Sequence, residues 1–285
     1  MQTLQDQLRQ YLVGWRSDMS PAWAEFFAGV EPDLDAIDSA LQAVPDLPVI
    51  PGRRGKPLAG APQDAHLFRA FDDIAPDQVR VLIIGQDPYP RVTRATGRAF
   101  EDGALVDWNG DVAVSLQRLM QSALANRRAR PDLTTGPGGW ARVQELLTMG
   151  ELDLEPQRAF FDRLQRAGVL FVNASWTLTR FVPGGGPEQR AQVAMWRPMV
   201  QRLIQGLITR GHGVVFLLLG QFAQDVFDQS CSIQEGTSAA LPAGFATVRH
   251  PHPNAKGVGG YFSKPNPLTQ VNARLVQMSQ ADIDW

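Results

Sequence analysis

Apolar positions along this chain follow two patterns. Between residues 4 and 30 they recur at helical spacing. Leu4, Leu8, Tyr11, Leu12 and Trp15 keep a 3.6-residue period, and Ser20-Pro21 is a helix start ahead of Trp23, Phe26 and Phe27. Residues 45–64 hold five prolines and three glycines, which predicts a loop. Beyond it come four short, continuous apolar runs: Val79–Gly85, Val169–Ala174, Gly213–Gly220 and Phe245–Arg249. Continuous rather than alternating runs are the mark of strands buried on both faces. Helical stretches alternate with them at Val112–Arg128, Gln157–Ala167, Ala191–Arg210 and Phe222–Asp228, and a helix near Pro267–Met278 closes the chain. The alternation predicts an α/β fold, a four-stranded parallel sheet flanked by helices. No repeat or low-complexity tract interrupts it. Residues 1–285 read as a single domain, with 1–64 a helical and loop N-terminal extension packed on it.

In such a sheet, ligands bind beyond the carboxyl ends of the strands. The first run is followed by Gln86-Asp87-Pro88-Tyr89, the second ends in Asn173, the third in Gly220-Gln221, and the fourth runs into His250-Pro251-His252-Pro253. A carboxylate, an amide and an imidazole therefore converge on one rim. Asp-Pro is also ordinary turn chemistry, but a carboxylate held at a strand end by a following proline is pre-aimed to orient a water or balance developing positive charge. An Asn at a strand end often bonds backbone; its alternative use is to offer one donor and one acceptor to a pyrimidine edge. A neutral His250 is suited to donate to a developing oxyanion. The loop after it carries Asn254, Lys256 and three glycines, which suits close approach to phosphate. Phe100, in a short polar loop, is either a core residue or a stacking surface.

Composition narrows the chemistry. Hydrophobic residues make up 44% and charged residues 20% of the 285, an ordinary globular balance, and the longest apolar run, Gly213 to Gly220, is far short of a membrane span. The N-terminal stretch lacks a signal-peptide pattern, so a cytoplasmic location is expected. Cys231 is the single cysteine, and His66, His212, His250 and His252 are scattered, so no metal and no cofactor are expected. The net charge of −2 is unevenly spread: residues 1–50 hold eight acids and two bases, and the remainder 21 acids and 25 bases. A mildly basic body permits contact with a few chosen phosphates.

Taken together, these segments resemble the uracil-DNA glycosylase family, over a span from about Trp23 to Trp285. The family signature Gly-Gln-Asp-Pro-Tyr-His is similar to Gly85–Pro90. Its Gly-x-Ala-Phe is similar to Gly97–Phe100, its Leu-x-x-Asn to Leu170–Asn173, and its Gly-Val-Val-Phe-Leu-Leu to Gly213–Leu218. Its His-Pro-Ser-Pro loop resembles His250–Pro253, and its terminal Ile-Asp-Trp is matched by Ile283-Asp284-Trp285. The resemblance implies hydrolysis of the bond between uracil and deoxyribose after the nucleotide is flipped out, the first step of base excision repair of DNA damage. It implies catalytic roles for Asp87, on the attacking water and cationic sugar, and for neutral His250, on uracil O2. It implies base binding by Gln86, Tyr89, Phe100 and Asn173, with Tyr89 beside C5 against the thymine methyl and Asn173 on N3–H and O4. Ser115, His252, Asn254, Lys256 and Ser263 take DNA-backbone or loop positions; Ser115 also reads as a helix cap. The expected partner is uracil-containing DNA, single- or double-stranded, and the expected state is a monomer.

Three positions depart from the family pattern: Pro90 for histidine, His252 for serine, and Asn254 for the leucine that wedges into the base stack. The last implies weaker action on duplex than on single-stranded DNA. Two other readings stay open: a same-fold glycosylase with a shifted damaged base, or a weakly catalytic binder of uracil or abasic DNA. An unrelated nucleotide-binding protein is less consistent, since no glycine-rich phosphate loop follows the first strand.

Overall fold

The computed structural model describes residues 2–128, 130–134, 138–232 and 244–285. The apolar runs form the strands β1 (Val81–Gly85), β2 (Val169–Asn173), β3 (Val214–Leu219) and β4 (Phe245–His250). They pair in the order β2-β1-β3-β4, all parallel, as expected. The helices are α1 (Leu4–Tyr11), α2 (Pro21–Phe26), α3 (Val114–Arg127), α4 (Gly138–Thr148), α5 (Gln157–Arg166), α6 (Pro187–Arg210), α7 (Gln221–Ser232) and α8 (Pro267–Gln277).

Successive strand residues point to opposite faces, and both faces are covered. Leu82, Ile84, Leu170, Val172, Val214, Phe216 and Leu218 join one apolar cluster, with Leu4, Leu8, Trp15, Trp23, Phe26 and Phe27 from the N-terminal segment and Met195, Trp196 and Leu203 from α6. The intervening residues Val81, Ile83, Val169, Phe171, Val215 and Leu217 join the other, with α3, α4, α5 and α8. The N-terminal segment is tied in by polar contacts as well: Trp23 Nε1 donates to the Ile74 carbonyl at 2.7 Å, Tyr11 Oη donates to the Pro51 carbonyl at 2.7 Å, and buried Arg53 pairs with buried Asp18.

The boundaries move for local reasons. Residues 4–30 are not one helical run, because Gly14 turns the chain at φ +69° and a short 3-10 turn, Trp15–Asp18, separates α1 from α2. Gly213 and Gly220 bracket β3 at φ +81° and +90° and so stand outside it. α6 starts at Pro187, four residues before the expected Ala191, with Pro in its first turn and the Gln189 side chain accepting from the Gly186 N–H. α4 was not expected at all, and His250 is the last residue of β4 rather than the first of the loop.

Candidate active site

Register sets the first two groups side by side. Gly85, ending β1, lies opposite Asn173, ending β2. The Asn173 amide lies over the Gly85 backbone so closely that a Cβ there would come within 2.3 Å of its Oδ1. Gly85 thus has a steric reason, not a conformational one.

The next residues, Gln86 to Pro90, turn away from the sheet and form one wall of a cavity of about 480 Å³. Asp87, Tyr89, Phe100 and Asn173 line it, with Ser115, His252 and Asn254 on its rim. Asp87 Oδ2 accepts from Gln189 Nε2 at 3.4 Å, while Oδ1 is buried with no hydrogen-bond partner. Desolvation lifts its carboxyl to about 6, against hydrogen bonds from Gln189 and Gln86 that favour the charged form. A carboxylate with one unsatisfied oxygen in a cavity is equipped to accept a proton or hold a water.

Tyr89 and Phe100 are mechanically linked. The Tyr89 hydroxyl donates to the Phe100 carbonyl at 3.4 Å, and its ring lies beneath the Arg94 guanidinium, 5.0 Å from the centroid. Burial raises the Tyr89 hydroxyl well above its ordinary range. Phe100 adopts φ +67°, a conformation that costs an L-residue energy and persists only when its surroundings enforce it. They do so here. Arg98 pairs with Glu101 at 3.2 Å and Asp162 at 2.6 Å, Arg69 pairs with Glu101 at 3.4 Å, and the Ala99 N–H donates to the Phe171 carbonyl at 3.2 Å. Phe100 is therefore presented from a rigid loop.

His250 is 1% exposed and lines neither this cavity nor the neighbouring one. It is paired in the sheet with Leu219, which does line the first cavity, and its ring packs edge-on to Tyr261 at 4.6 Å. Its Nδ1 lies 3.3 Å from the Pro251 carbonyl, a hydrogen bond in the tautomer that carries the proton on Nδ1, and Nε2 is buried without a hydrogen-bond partner. Desolvation lowers the His250 pKa despite the Pro251 and Pro265 carbonyls, so the ring is neutral at pH 7. The expected trio is thus brought together in part: Asp87 and Asn173 share the cavity and His250 stands behind its wall.

The backbone candidates divide between two cavities. A second, of about 390 Å³, is lined by Lys256 and Ser263, and Asn254 belongs to both. Ser115 does not cap its helix. The N-cap of α3 is Ala113, and the Ser115 hydroxyl donates to Asn254 Oδ1 at 3.3 Å. His252 Nδ1 accepts from the Asn254 N–H at 3.1 Å, which leaves its proton on Nε2, and desolvation keeps the ring neutral. A Cβ on Gly220 would come within 2.8 Å of His252 Cβ, so glycine is required beneath it. Among the described residues no group of three or more His, Cys, Asp or Glu is placed to hold a metal, and no helix is long and apolar enough to cross a membrane.

The sequence model of the uracil DNA glycosylase superfamily matches residues 71–276. The chain belongs to this superfamily. A uracil-DNA glycosylase of Parafrankia sp. is 26% identical over 270 residues, covering 95% of this chain and 96% of its own length. One from Coxiella burnetii is 24% identical over 227 residues, 79% of each chain. The crystal structure of wild-type UNG from Nitratifractor salsuginis superposes with a TM-score of 0.57 at 21% identity, covering 98% of both chains. A mimivirus UNG variant in complex with UGI gives a TM-score of 0.59 at 15% identity, covering 100% of this chain and 95% of its own. Set against the superfamily pattern, Pro90 sits exposed at the cavity edge and Asn254 is engaged by Ser115.

Several lining residues of this glycosylase-family cavity were not read from the sequence. Gln189 is the direct partner of Asp87, and it lies in the first turn of α6, ahead of the expected start at Ala191. Phe181, Gly184 and Gly185 also line the cavity, as does Phe222 from the first turn of α7.

Proposed function

We propose that this chain is a monofunctional uracil-DNA glycosylase, a hydrolase of N-glycosyl bonds that excises uracil from DNA in base excision repair. Superfamily membership and the names of its relatives support uracil over a shifted damaged base. The observation that carries the reading is that Asp87, with one carboxylate oxygen buried and unsatisfied, lines the same cavity as Asn173.

In this mechanism the flipped nucleotide places uracil between Phe100 and the Asn173 amide. The amide donates to O4 and accepts from N3–H, and it opposes cytosine, whose exocyclic amine is a donor. Each such mismatch is worth about 1–3 kcal/mol in a desolvated setting. Tyr89 fills the space beside C5. As the N1–C1′ bond breaks, its electron pair leaves with the base, and positive charge on the sugar is balanced by ionised Asp87, which also holds the attacking water. His250 acts on uracil O2 as a neutral donor. That role requires its ring to leave the Pro251 carbonyl and carry the proton on the nitrogen facing the base. Ser115, His252, Asn254, Lys256 and Ser263 hold the strand on either side. Gln86, whose side chain also favours ionised Asp87, borders the base. The protein works as a cytoplasmic monomer and a single domain, with residues 1–64 built into it.

The test is alkali-labile cleavage of a uracil-containing oligonucleotide. The wild type is expected to generate cleavable sites and Asp87→Asn to bind without doing so. A wild type that leaves the oligonucleotide intact overturns the reading.

A further inference from the structure

Four arginines are buried among the described residues: Arg53, Arg69, Arg98 and Arg118. The first three each pair with a carboxylate. Arg118, 7% exposed, forms no ion pair among the described residues. Its Nη1 donates to Gln121 Oε1 at 2.6 Å, and its guanidinium lies over the Phe262 ring, 5.2 Å from the centroid. Burial pulls its pKa below the usual arginine value, and among the described residues no carboxylate acts on it. A buried cation without a counter-charge is costly unless an anion completes it.

Arg118 lines the second cavity, the one adjoining the Asp87 cavity through Asn254. The remaining lining supplies Lys256, the backbone of Gly257 and Gly260, and the Ser263 hydroxyl, and includes no carboxylate. Val114, the first residue of α3, also lines it, and the Ala113 N-cap leaves the first-turn N–H groups without a side-chain partner. The positive end of a 14-residue helix therefore adds to the two cations. A guanidinium fork beside glycine backbone suits a tetrahedral oxyanion. DNA presents one phosphate per nucleotide, so a strand with its base in the first cavity carries a phosphate toward the second.

We propose that the second cavity seats a phosphate of the DNA strand flanking the flipped nucleotide, with Arg118 as its principal cation. This rests on the reading of the chain as a DNA glycosylase. The test is the salt dependence of binding to a single-stranded oligonucleotide holding one uracil, measured with the Asp87→Asn protein so that the base stays in place. Adding Arg118→Met is expected to weaken binding and reduce the slope of log K against log salt by about 0.7, the single-strand value for one phosphate contact. Arg118→Lys is expected to restore the slope. Neutral methylphosphonates placed one at a time around the uracil are expected to reveal one position that weakens Asp87→Asn and has no effect once Arg118→Met is added. Should Arg118→Met melt before it can be measured, Lys256→Gln, at an exposed position, is expected to show the same slope loss. An unchanged slope and methylphosphonate profile in folded variants overturns the proposal. Inorganic phosphate raising the melting temperature without those changes also overturns it, by placing a free anion there. Uracil release by the wild type is followed in parallel. Its absence overturns the proposed function, and its presence with an unchanged slope overturns only the phosphate seat.

Discussion

Asp87 ionises against its own surroundings. Its ordinary pKa of 3.8 is lifted to about 6 by desolvation, so the folded chain carries a cost whenever the group is charged. Below about 3.8 native and unfolded chains both hold the proton and the cost vanishes. It grows as pH rises toward 6 and is constant above, on the order of 3 kcal/mol. Asp87→Asn is therefore expected to melt above the wild type at pH 8, with the two curves meeting near pH 4; a variant less stable at pH 8 would count against this. Gly85→Ala tests the neighbouring contact. The new methyl displaces the Asn173 amide, so uracil excision is expected to fall on the order of 10²-fold with the fold retained, since a 1 Å displacement has that effect. Unchanged turnover would show that the amide does not need that position. Asp87 and Asn173 were legible in the sequence because each ends an apolar run. Gln189 and Arg118 were not. One precedes Ala191, where the apolar pattern begins the helix, and the other faces a cavity that exists only once the loop after β4 folds against α3.

At the scale of elements, β1, β2 and β3 were legible because they are buried on both faces and read as apolar runs, whereas β4 is only partly buried and carries Thr247 within its run. α4 was missed although Trp140, Val143 and Leu146 mark its buried side. The Thr-Thr-Gly-Pro-Gly-Gly ahead of it reads as loop. His250 shows the limit of strand-end reasoning: one further residue of pairing with Leu219 takes it out of the loop and behind the cavity wall. The loop at 250–260 also lacks an apolar residue at 254, where Asn254 is held by Ser115. An amide cannot replace the stacking lost when a base leaves a duplex, and unstacking costs less in single strands. Turnover on a single-stranded uracil oligonucleotide is expected to exceed that on its matched duplex. Equal or faster duplex turnover would contradict this.

For the whole molecule, the first 64 residues are not an appendage, since Leu8 is fully buried in the cluster that contains Leu82 and Phe216. Leu8→Ala is expected to lower stability by about 2–5 kcal/mol in a single unfolding transition; two separate transitions would contradict a one-domain chain. The charge asymmetry along the sequence permits contact with a few phosphates and says nothing of where they would bind.

The measurement that bears most directly on the account is the single-turnover rate of free uracil release from a single-stranded oligonucleotide as a function of pH. The wild-type rate is expected to be flat above pH 7 and to fall through an apparent pKa near 6 as Asp87 takes up its proton, with Asp87→Asn slower by on the order of 10²–10⁴-fold above pH 7 and the gap narrowing below pH 6. A wild-type rate indifferent to pH between 5 and 8, or an Asn variant as fast as the wild type, would contradict it.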